Sequence, residues 1–205
     1  MKTRFLILRN SQAGIGVVGS RNASAAGLRA AYEFSALATS RNFSTISGLA
    51  AGCDTAAHLG CLDSGGHTVA VLPCGLNFIT PSSNRPLAKR ILESGGSLVS
   101  EYSPDAPPRS FRFVERNRII AFLSRVVIVV EAEQKSGTMH TARFALEQNK
   151  PLACYVPESG RLSSGCRYLI ENHGATPLRN TADLESFLET LQNEPKRKGG
   201  GGWHV

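Results

Sequence analysis

Residues 111–141 read FRFVERNRIIAFLSRVVIVVEAEQKSGTMHT, and this stretch decides the fold class. Residues 126–130 within it are V-V-I-V-V, an unbroken apolar run typical of a strand covered on both faces in a parallel sheet. The S-G-T turn at 136–138 then follows where the chain must leave the sheet at its carboxyl edge. A helix beginning near Met139 would direct free backbone N–H groups into that crevice. The stretch therefore predicts an anion-binding site, with a polyanion as its natural occupant.

Short apolar runs alternate with stretches of helical periodicity along the rest of the chain. The predicted strands are residues 5–8, 15–18, 44–47, 68–72, 97–100, 126–131 and 152–156. The predicted helices are residues 24–39, 54–63, 85–94, 115–123, 139–148, 167–172 and 183–192. Ser24 and Asp183 are the candidate N-caps. This alternation predicts an α/β fold with a doubly wound, mostly parallel sheet in one domain, residues 1–192.

The composition favours an acidic partner. The 205 residues, 41% hydrophobic, are enough for one well-buried domain. The net charge is +7, and residues 196–198 supply three of these charges, which leaves +4 for the rest of the chain. A basic balance of this kind favours partners such as nucleic acid. Residues 193–205, basic and glycine-rich, are expected to be a disordered tail.

Several classes of protein are disfavoured. No apolar run approaches the length of a membrane span, and Arg4 and Arg9 interrupt the N-terminus, so we expect a cytoplasmic protein without a membrane partner. The five cysteines are scattered and include no C-x-x-C pair, so neither a disulfide framework nor a metal site is predicted. Gly14, Gly16 and Gly19 match the dinucleotide pattern G-x-G-x-x-G, but residues 17 and 18 belong to the strand itself. A nicotinamide or flavin site is therefore disfavoured, and no cofactor is predicted.

The turn at Gly19-Ser20-Arg21 has two interpretations. Glycine allows the backbone to approach an anion, the serine hydroxyl can donate, and the guanidinium matches the geometry of a phosphate. The alternative is a tight turn with a solvated arginine, and the residues alone leave both open.

Three polar residues in the first half are interpreted as mainly structural. Asp54 is placed to cap a helix, and His58 follows one turn later. An acid/base pair is conceivable, but a capping aspartate and a hydrogen-bonded histidine are favoured because no nucleophile is spaced to join them. Asn84, in PSSNRPL, is expected to belong to a turn and is also a candidate contact at the rim of the site.

An arginine-rich segment precedes the central strand, with aromatic residues interleaved. Its members are Arg109, Phe111, Arg112, Phe113, Arg116, Asn117 and Arg118. Channels for single-stranded nucleic acid use this combination, because arginines hold phosphates while rings stack on bases. Phe111 and Phe113 are the candidates for base stacking. Alternatively, the aromatic residues are core and the arginines a solvated face. Arg112 and Arg116 lie on one face of the predicted helix, and Arg118 lies on another. Not all of these arginines can therefore contact one strand of nucleic acid.

Taken together, the motifs resemble the DprA/Smf family over about residues 6–177. The segments are GVVGSR (16–21), ISGLAAGCDTAAH (46–58), TPSSN (80–84), SEY (100–102), FVERNRIIAFLS (113–124), VVEAEQKSGTMHTA (129–142), Pro157 and GCRYLIENHGA (165–175). The resemblance implies an extended Rossmann-like fold and binding of single-stranded DNA without base preference. It also implies a homodimer, loading of a RecA-type recombinase in recombination and DNA uptake, and no catalysis.

The resemblance also implies which residues bind phosphate. With the arginine-rich segment added, the predicted DNA- or phosphate-binding residues are Gly19, Ser20, Arg21, Arg112, Arg116, Asn117, Arg118, Lys135, Ser136, Gly137 and Thr138. Longer members of the family carry flanking domains for which this chain has no room, and this departure puts the transformation role in doubt.

Two further functions remain as alternatives. Related Rossmann-like proteins hydrolyse nucleotides with a G-G-x-G-T-x-x-E element, but Thr141 stands here in place of that glutamate. Only Glu131 and Glu133 could substitute for the carboxylate that stabilises a cationic ribosyl transition state. The other alternative is a regulatory or antitoxin module that binds a nucleotide or a cognate toxin, since the same phosphate-binding physics would serve it.

Overall fold

An apolar strand lies at the centre of the sheet, as the sequence predicts. The computed structural model describes residues 13–193. Residues 126–130 are buried, and their side chains alternate between two helical layers. Val126 and Ile128 belong to one core, whereas Val127 and Val129 belong to the other. Because both faces of the strand are covered, a polar residue at any of these positions would lose its contact with water.

Strands and helices alternate strictly along the described residues. The strands are β1 (Gly14–Val18), β2 (Ser44–Ser47), β3 (Thr68–Val71), β4 (Ser97–Val99), β5 (Ser124–Val129), β6 (Leu152–Tyr155) and β7 (Thr176–Leu178). The helices are α1 (Ala25–Ser40), α2 (Cys53–Asp63), α3 (Arg85–Glu93), α4 (Ser110–Leu123), α5 (Gly137–Glu147), α6 (Ser164–His173) and α7 (Thr181–Asn193). A single 3₁₀ turn, Ser82–Asn84, leads into α3.

The sheet is parallel throughout, with strand order β4-β3-β2-β1-β5-β6-β7. The chain first builds outward from β1 to β4, and then α4 crosses back so that β5 to β7 build outward on the other side. Helices α1, α2 and α7 contribute to the core on one face, and α4, α5 and α6 to the core on the opposite face. The winding direction therefore reverses between β1 and β5. In open parallel sheets, ligands bind at the carboxyl edge of this reversal point.

The glycines of the dinucleotide-like pattern serve packing inside β1. A Cβ at Gly14 would lie 2.2 Å from Cδ1 of Ile46, and a Cβ at Gly16 would lie 2.7 Å from Oγ of Ser124. The two glycines thus make room for side chains of the neighbouring strands β2 and β5.

Most predicted strands and helices within residues 13–193 are confirmed to within three residues at each end, and the other outcomes are as follows. Strand β7 was missed, because Pro177 lies at its centre and the strand has only three residues. Helix α4 begins at Ser110, five residues before the predicted start. The N-cap assignment of Asp183 is wrong: its backbone N–H donates to Oδ1 of Asn180, and its carboxylate accepts from Arg179. The predicted strand at residues 5–8 and the tail lie outside the described residues.

The N-cap assignment of Ser24 is confirmed, since its hydroxyl accepts a hydrogen bond from the backbone N–H of Gly27.

The five cysteines are buried and form no disulfides, so they pack as small apolar residues. Among residues 13–193, no helix is long and apolar enough to cross a membrane.

Helices α1 and α2 approach each other at Gly60, which generates a prediction. A Cβ at Gly60 would lie 2.1 Å from the backbone oxygen of Tyr32. In an ordinary helix interior, Gly→Ala stabilises by about 1 kcal/mol. At this position we expect Gly60→Ala to lower the free energy of unfolding by about 1–3 kcal/mol, because the helices must separate. Urea denaturation measures the change, and a stabilised variant would contradict the close approach.

Candidate functional site

A crevice of about 440 Å³ opens at the carboxyl edge of β1 and β5. Four segments line it: residues 18–22 at the end of β1, Ala50 and Asp54 after β2, one face of α4, and residues 132–141 after β5. The α4 face includes Phe113, Arg116, Asn117 and Ile120, with spacing i, i+3, i+4, i+7. The crevice therefore lies where the strand order predicts a ligand site, and it brings together segments that are distant in sequence.

The turn after β1 is held between the starts of α5 and α2. The hydroxyl of Thr138 donates to the backbone oxygen of Gly19 (3.0 Å), and the backbone N–H of Cys53 donates to the backbone oxygen of Ser20 (3.1 Å). Gly52 has φ +79°, and a Cβ there would lie 2.3 Å from the same Ser20 oxygen. These contacts fix the backbone of residues 19 and 20, and a side chain at position 52 would push the turn away.

Arg21 lies at the rim of the crevice and is exposed. Its guanidinium carbon lies 5.3 Å from the centre of the Phe113 ring, within the range of a cation–π contact. Among residues 13–193, no carboxylate forms an ion pair with Arg21. The arginine and the ring therefore present a cation and an aromatic face side by side.

Arg116 lies at the floor of the crevice and is only 4% exposed. Its Nη1 donates to the backbone oxygen of Gly48 (2.7 Å) and to that of Val71, and its Nε donates to Oδ1 of Asn117 (3.1 Å). Nδ2 of Asn117 in turn donates to the backbone oxygen of Gly137 (3.1 Å). The Arg116–Asn117 pair thus joins the loops that follow β2, β3 and β5.

The buried charge of Arg116 is balanced by Asp54. Burial lowers the pKa of Arg116 to about 10, while the Asp54 carboxylate opposes this shift. Burial raises the pKa of Asp54, and the Arg116 charge opposes that shift. The Asp54 carboxylate also accepts from the backbone N–H groups of Gly48 (3.0 Å) and Ala50 (3.3 Å). The hydrogen bond from Arg116 to Gly48 and those from Gly48 and Ala50 to Asp54 hold the loop between β2 and α2 against α4.

The start of α5 faces the crevice. The Ser136 hydroxyl oxygen is buried and has no hydrogen-bond partner within the described part of the chain. Gly137 is exposed, and a Cβ there would meet no atom within 4 Å. Such a helix start can accept an anion through its free N–H groups and its macrodipole. A donor hydroxyl and open backbone amides therefore line the same crevice as Arg21.

Some predicted site residues lie away from the crevice. Arg118 pairs with Glu101 on a different face of α4. Nη1 of Arg112 donates to the backbone oxygen of Pro107 (2.7 Å), and Phe111 is 51% exposed on the outer side of the helix. Lys135 is exposed and borders a neighbouring groove between α5 and α6. Of the two aromatic candidates, only Phe113 faces the crevice.

The structural interpretation of His58 is confirmed. Nδ1 of His58 lies 2.7 Å from the hydroxyl of Thr68, which donates to the backbone oxygen of Thr45, so His58 is the donor in the first bond. Asp54 has a different role from the predicted cap: it lies inside the first turn of α2, where Gly52 is the N-cap. Asn84 is 9% exposed and is not at the rim, because its Nδ2 donates to the backbone oxygen of Leu49 (2.9 Å).

The carboxylates near the crevice are engaged elsewhere. Both oxygens of Glu131 accept from Ser24, one from its backbone N–H and one from its hydroxyl. Glu133 accepts from the Ser164 hydroxyl. Thr141, in place of the glutamate of the hydrolases, is 1% exposed and lines the crevice. Within residues 13–193, no three His, Cys, Asp or Glu side chains are grouped as metal ligands would be.

The sequence analysis missed the role of the crevice floor. It interpreted Arg116 as a phosphate contact and Asp54 as a cap, and it did not foresee that both are buried donors to or acceptors from the backbone of the loops beneath the crevice. The signal that could have revealed the burial of Arg116 is the spacing of 113, 116, 117 and 120, which places Arg116 beside the apolar Ile120 on one buried helix face. The predicted start of α4 at residue 115 excluded Phe113 from that face.

Fold and site together define a doubly wound, Rossmann-like protein with a crevice at the reversal point of its sheet. The family model of the DNA recombination-mediator protein A matches residues 6–189, and the chain belongs to this family. Protein Smf of Escherichia coli is 42% identical over 179 residues, which are 87% of this chain and 47% of that protein. DNA processing protein DprA of Streptococcus pneumoniae is 40% identical over 177 residues, 85% of this chain and 61% of that protein. The chain thus spans about half the length of several curated relatives that it matches.

Solved structures show the same architecture. DNA processing protein A from Streptococcus pneumoniae superposes with a TM-score of 0.74 at 36% identity, covering 85% of this chain and 61% of that one. DNA processing protein A from Helicobacter pylori, solved to describe its single-stranded DNA binding mode, superposes with a TM-score of 0.76 at 30% identity, covering 89% and 81%. A molybdenum cofactor carrier protein from Chlamydomonas reinhardtii, 18% identical with a TM-score of 0.66 over 90% of this chain and 100% of that one, shares the fold.

The two arginines two residues apart on α4 should behave differently when replaced. Arg116→Met leaves the buried backbone oxygens of Gly48 and Val71 without their donor, so we expect the free energy of unfolding to fall by about 2–5 kcal/mol. Arg118→Met removes an exposed ion pair and should cost less than about 1 kcal/mol. Urea denaturation of both variants measures the difference. Equal losses would contradict the assignment of Arg116 as the internal support of the crevice.

His58 should make the stability depend on pH. Burial lowers its pKa to about 3, whereas in the unfolded chain the pKa is about 6.5. Between these values the unfolded chain binds a proton that the folded protein does not, so stability falls as the pH falls below about 6.5. Asparagine can still donate to Thr68 but cannot titrate. Between pH 7 and pH 5, wild type should therefore lose about 2 kcal/mol more than His58→Asn in urea denaturation. Equal losses would show that His58 is not held neutral.

Proposed function

We propose that the crevice binds the sugar-phosphate backbone of single-stranded DNA without base preference, and that the protein acts in DNA processing and recombination. The observation that carries this proposal is the exposed Arg21 over the Phe113 ring, in the same crevice as the open start of α5. Arginine and free helix amides are suited to phosphates, and an aromatic face stacks on any base. Family membership supports the same function, as does the single-stranded DNA binding mode described for the Helicobacter pylori protein.

Under this proposal, the predicted site residues at or beside the crevice have different roles. Gly19, Ser20, Arg21, Ser136, Gly137 and Thr138 bind phosphate at the two sides of the crevice, and Phe113 stacks on a base. Arg116 and Asn117 support the floor, since their donors are used by backbone and side-chain oxygens. Lys135 is one residue from Ser136 and is placed to hold a phosphate where the strand leaves the crevice.

We propose a binding role and not a catalytic one. Both Glu131 oxygens are engaged at the start of α1, and Thr141 occupies the place where a hydrolase would carry its glutamate. The family resemblance further supports three proposals: a homodimer, delivery of the DNA to a RecA-type recombinase, and a cytoplasmic location. A cognate toxin as partner remains the alternative interpretation for a protein of this family.

A second candidate ligand is a free mononucleotide in a regulatory module. The crevice volume of about 440 Å³ lies within the range of small-molecule sites. Native mass spectrometry of the purified protein separates the two, because a retained nucleotide and a retained oligonucleotide differ in mass. Competition provides a second criterion: thymidine monophosphate at millimolar concentration should displace a labelled oligothymidylate only if both occupy the crevice.

Arg21→Ala tests the proposed function directly. Loss of one phosphate contact should weaken binding of a fluorescein-labelled oligothymidylate about tenfold and make the slope of log K against log salt less negative by about 0.7. Fluorescence anisotropy at several salt concentrations measures both quantities. Arg90→Ala, which breaks an exposed ion pair with Asp63, is the control and should bind as wild type. Unchanged affinity and slope in Arg21→Ala would contradict the proposal.

A further inference from the structure

Glu131 connects the end of β5 with the start of α1. One carboxylate oxygen accepts from the backbone N–H of Ser24 (2.9 Å), and the other accepts from the Ser24 hydroxyl. The same hydroxyl accepts from the backbone N–H of Gly27 (3.0 Å). A Cβ at Gly27 would lie 2.5 Å from Oε1 of Glu131, so the carboxylate fits only because glycine is present. We call these three residues, Glu131, Ser24 and Gly27, the α1 clamp.

The α1 clamp places a negative charge beside a crevice for anions. In dinucleotide-binding folds, the start of the helix after the first strand holds the ligand's phosphate. Here the chain's own carboxylate occupies that position and leaves the start of α5 as the open one. By electrostatics alone, Glu131 should weaken DNA binding, because a carboxylate repels phosphate. Its hydrogen bonds to Ser24 indicate a structural role that offsets this repulsion.

That role follows from the position of Arg21 in the chain. Thr138 and Cys53 hold the backbone of Gly19 and Ser20, which precede Arg21. The clamp holds Ser24, which follows it. The turn is therefore anchored on both sides of the arginine, and Glu131 supplies the anchor on the far side.

We propose that Glu131 is a positioning residue for DNA binding. By holding Ser24, it fixes the far end of the turn and keeps the Arg21 guanidinium above the Phe113 ring, where it meets the strand. The inference rests on the proposed function, in which Arg21 contacts phosphate.

Glu131 and Glu133 form a matched pair for the test. Both carboxylates lie near the crevice after β5, but Glu133 contacts Ser164 and not the turn. Removal of either charge should strengthen DNA binding if electrostatics alone decides. If Glu131 positions Arg21, Glu131→Ala should weaken binding of a labelled oligothymidylate about fivefold, whereas Glu133→Ala should strengthen it about twofold. Fluorescence anisotropy at one low salt concentration measures both.

A conservative variant separates position from charge. The amide of Glu131→Gln can accept from the Ser24 N–H and donate to the Ser24 hydroxyl, so it retains the clamp without the charge. It should bind DNA at least as tightly as wild type. Ser24→Ala keeps the carboxylate but loses one of its two bonds, and binding should weaken about two- to threefold. Circular dichroism shows whether Glu131→Ala folds. If it does not, Ser24→Ala serves as the test of the clamp in its place.

Coupling to Arg21 provides the final criterion. In an Arg21→Ala background, Glu131→Ala should no longer weaken binding, because the group that it positions is gone, and loss of the carboxylate charge should leave the affinity equal or slightly higher. Tighter binding by Glu131→Ala, or an equal loss with and without Arg21, would overturn the positioning role while the proposed function stands. Unchanged binding by Arg21→Ala alone would overturn both.

Discussion

The buried guanidinium of Arg116 is the interaction on which the carboxyl edge of this sheet depends. It is surrounded by the backbone oxygens of Gly48 and Val71 and neutralised by Asp54. Through Asn117 it also reaches Gly137 at the start of α5. A single buried charge therefore holds three loops from separate βα units. Because burying a charge without partners is very costly, this arrangement permits few alternatives and gives the crevice a rigid floor.

Few exposed groups line the crevice above this floor. Among residues 13–193, the crevice presents one arginine without an ion pair, one aromatic ring and one open helix start, all at the point where the winding of the sheet reverses. The start of the helix after β1, which holds phosphate in dinucleotide-binding folds, is occupied here by the Glu131 carboxylate. The start of the helix after β5 is open instead, and the proposed function assigns the phosphate to it.

Much of the fold could be predicted from the sequence, because apolar runs such as residues 126–130 and the stretches between them have clear periods. Strand β7 could not, since three residues around Pro177 carry no such signal. The location of the site was also predictable from the S-G-T turn after a buried strand. The roles of the charged residues could not be predicted in this way. Arg21 is exposed and Arg116 is buried, and the burial of Arg116 depends on Asp54 and Gly48, which are far away in the sequence.

The most direct test of this account is where a DNA strand lies on the protein. Titration of ¹⁵N-labelled protein with a short oligothymidylate, followed by amide chemical shifts, maps the contact. Binding in the crevice predicts that the amides of residues 19–22 and 137–139 shift most, while those of α7 stay in place. Shifts confined to the groove between α5 and α6, around Arg143 and Tyr168, with residues 19–22 unchanged, would contradict it.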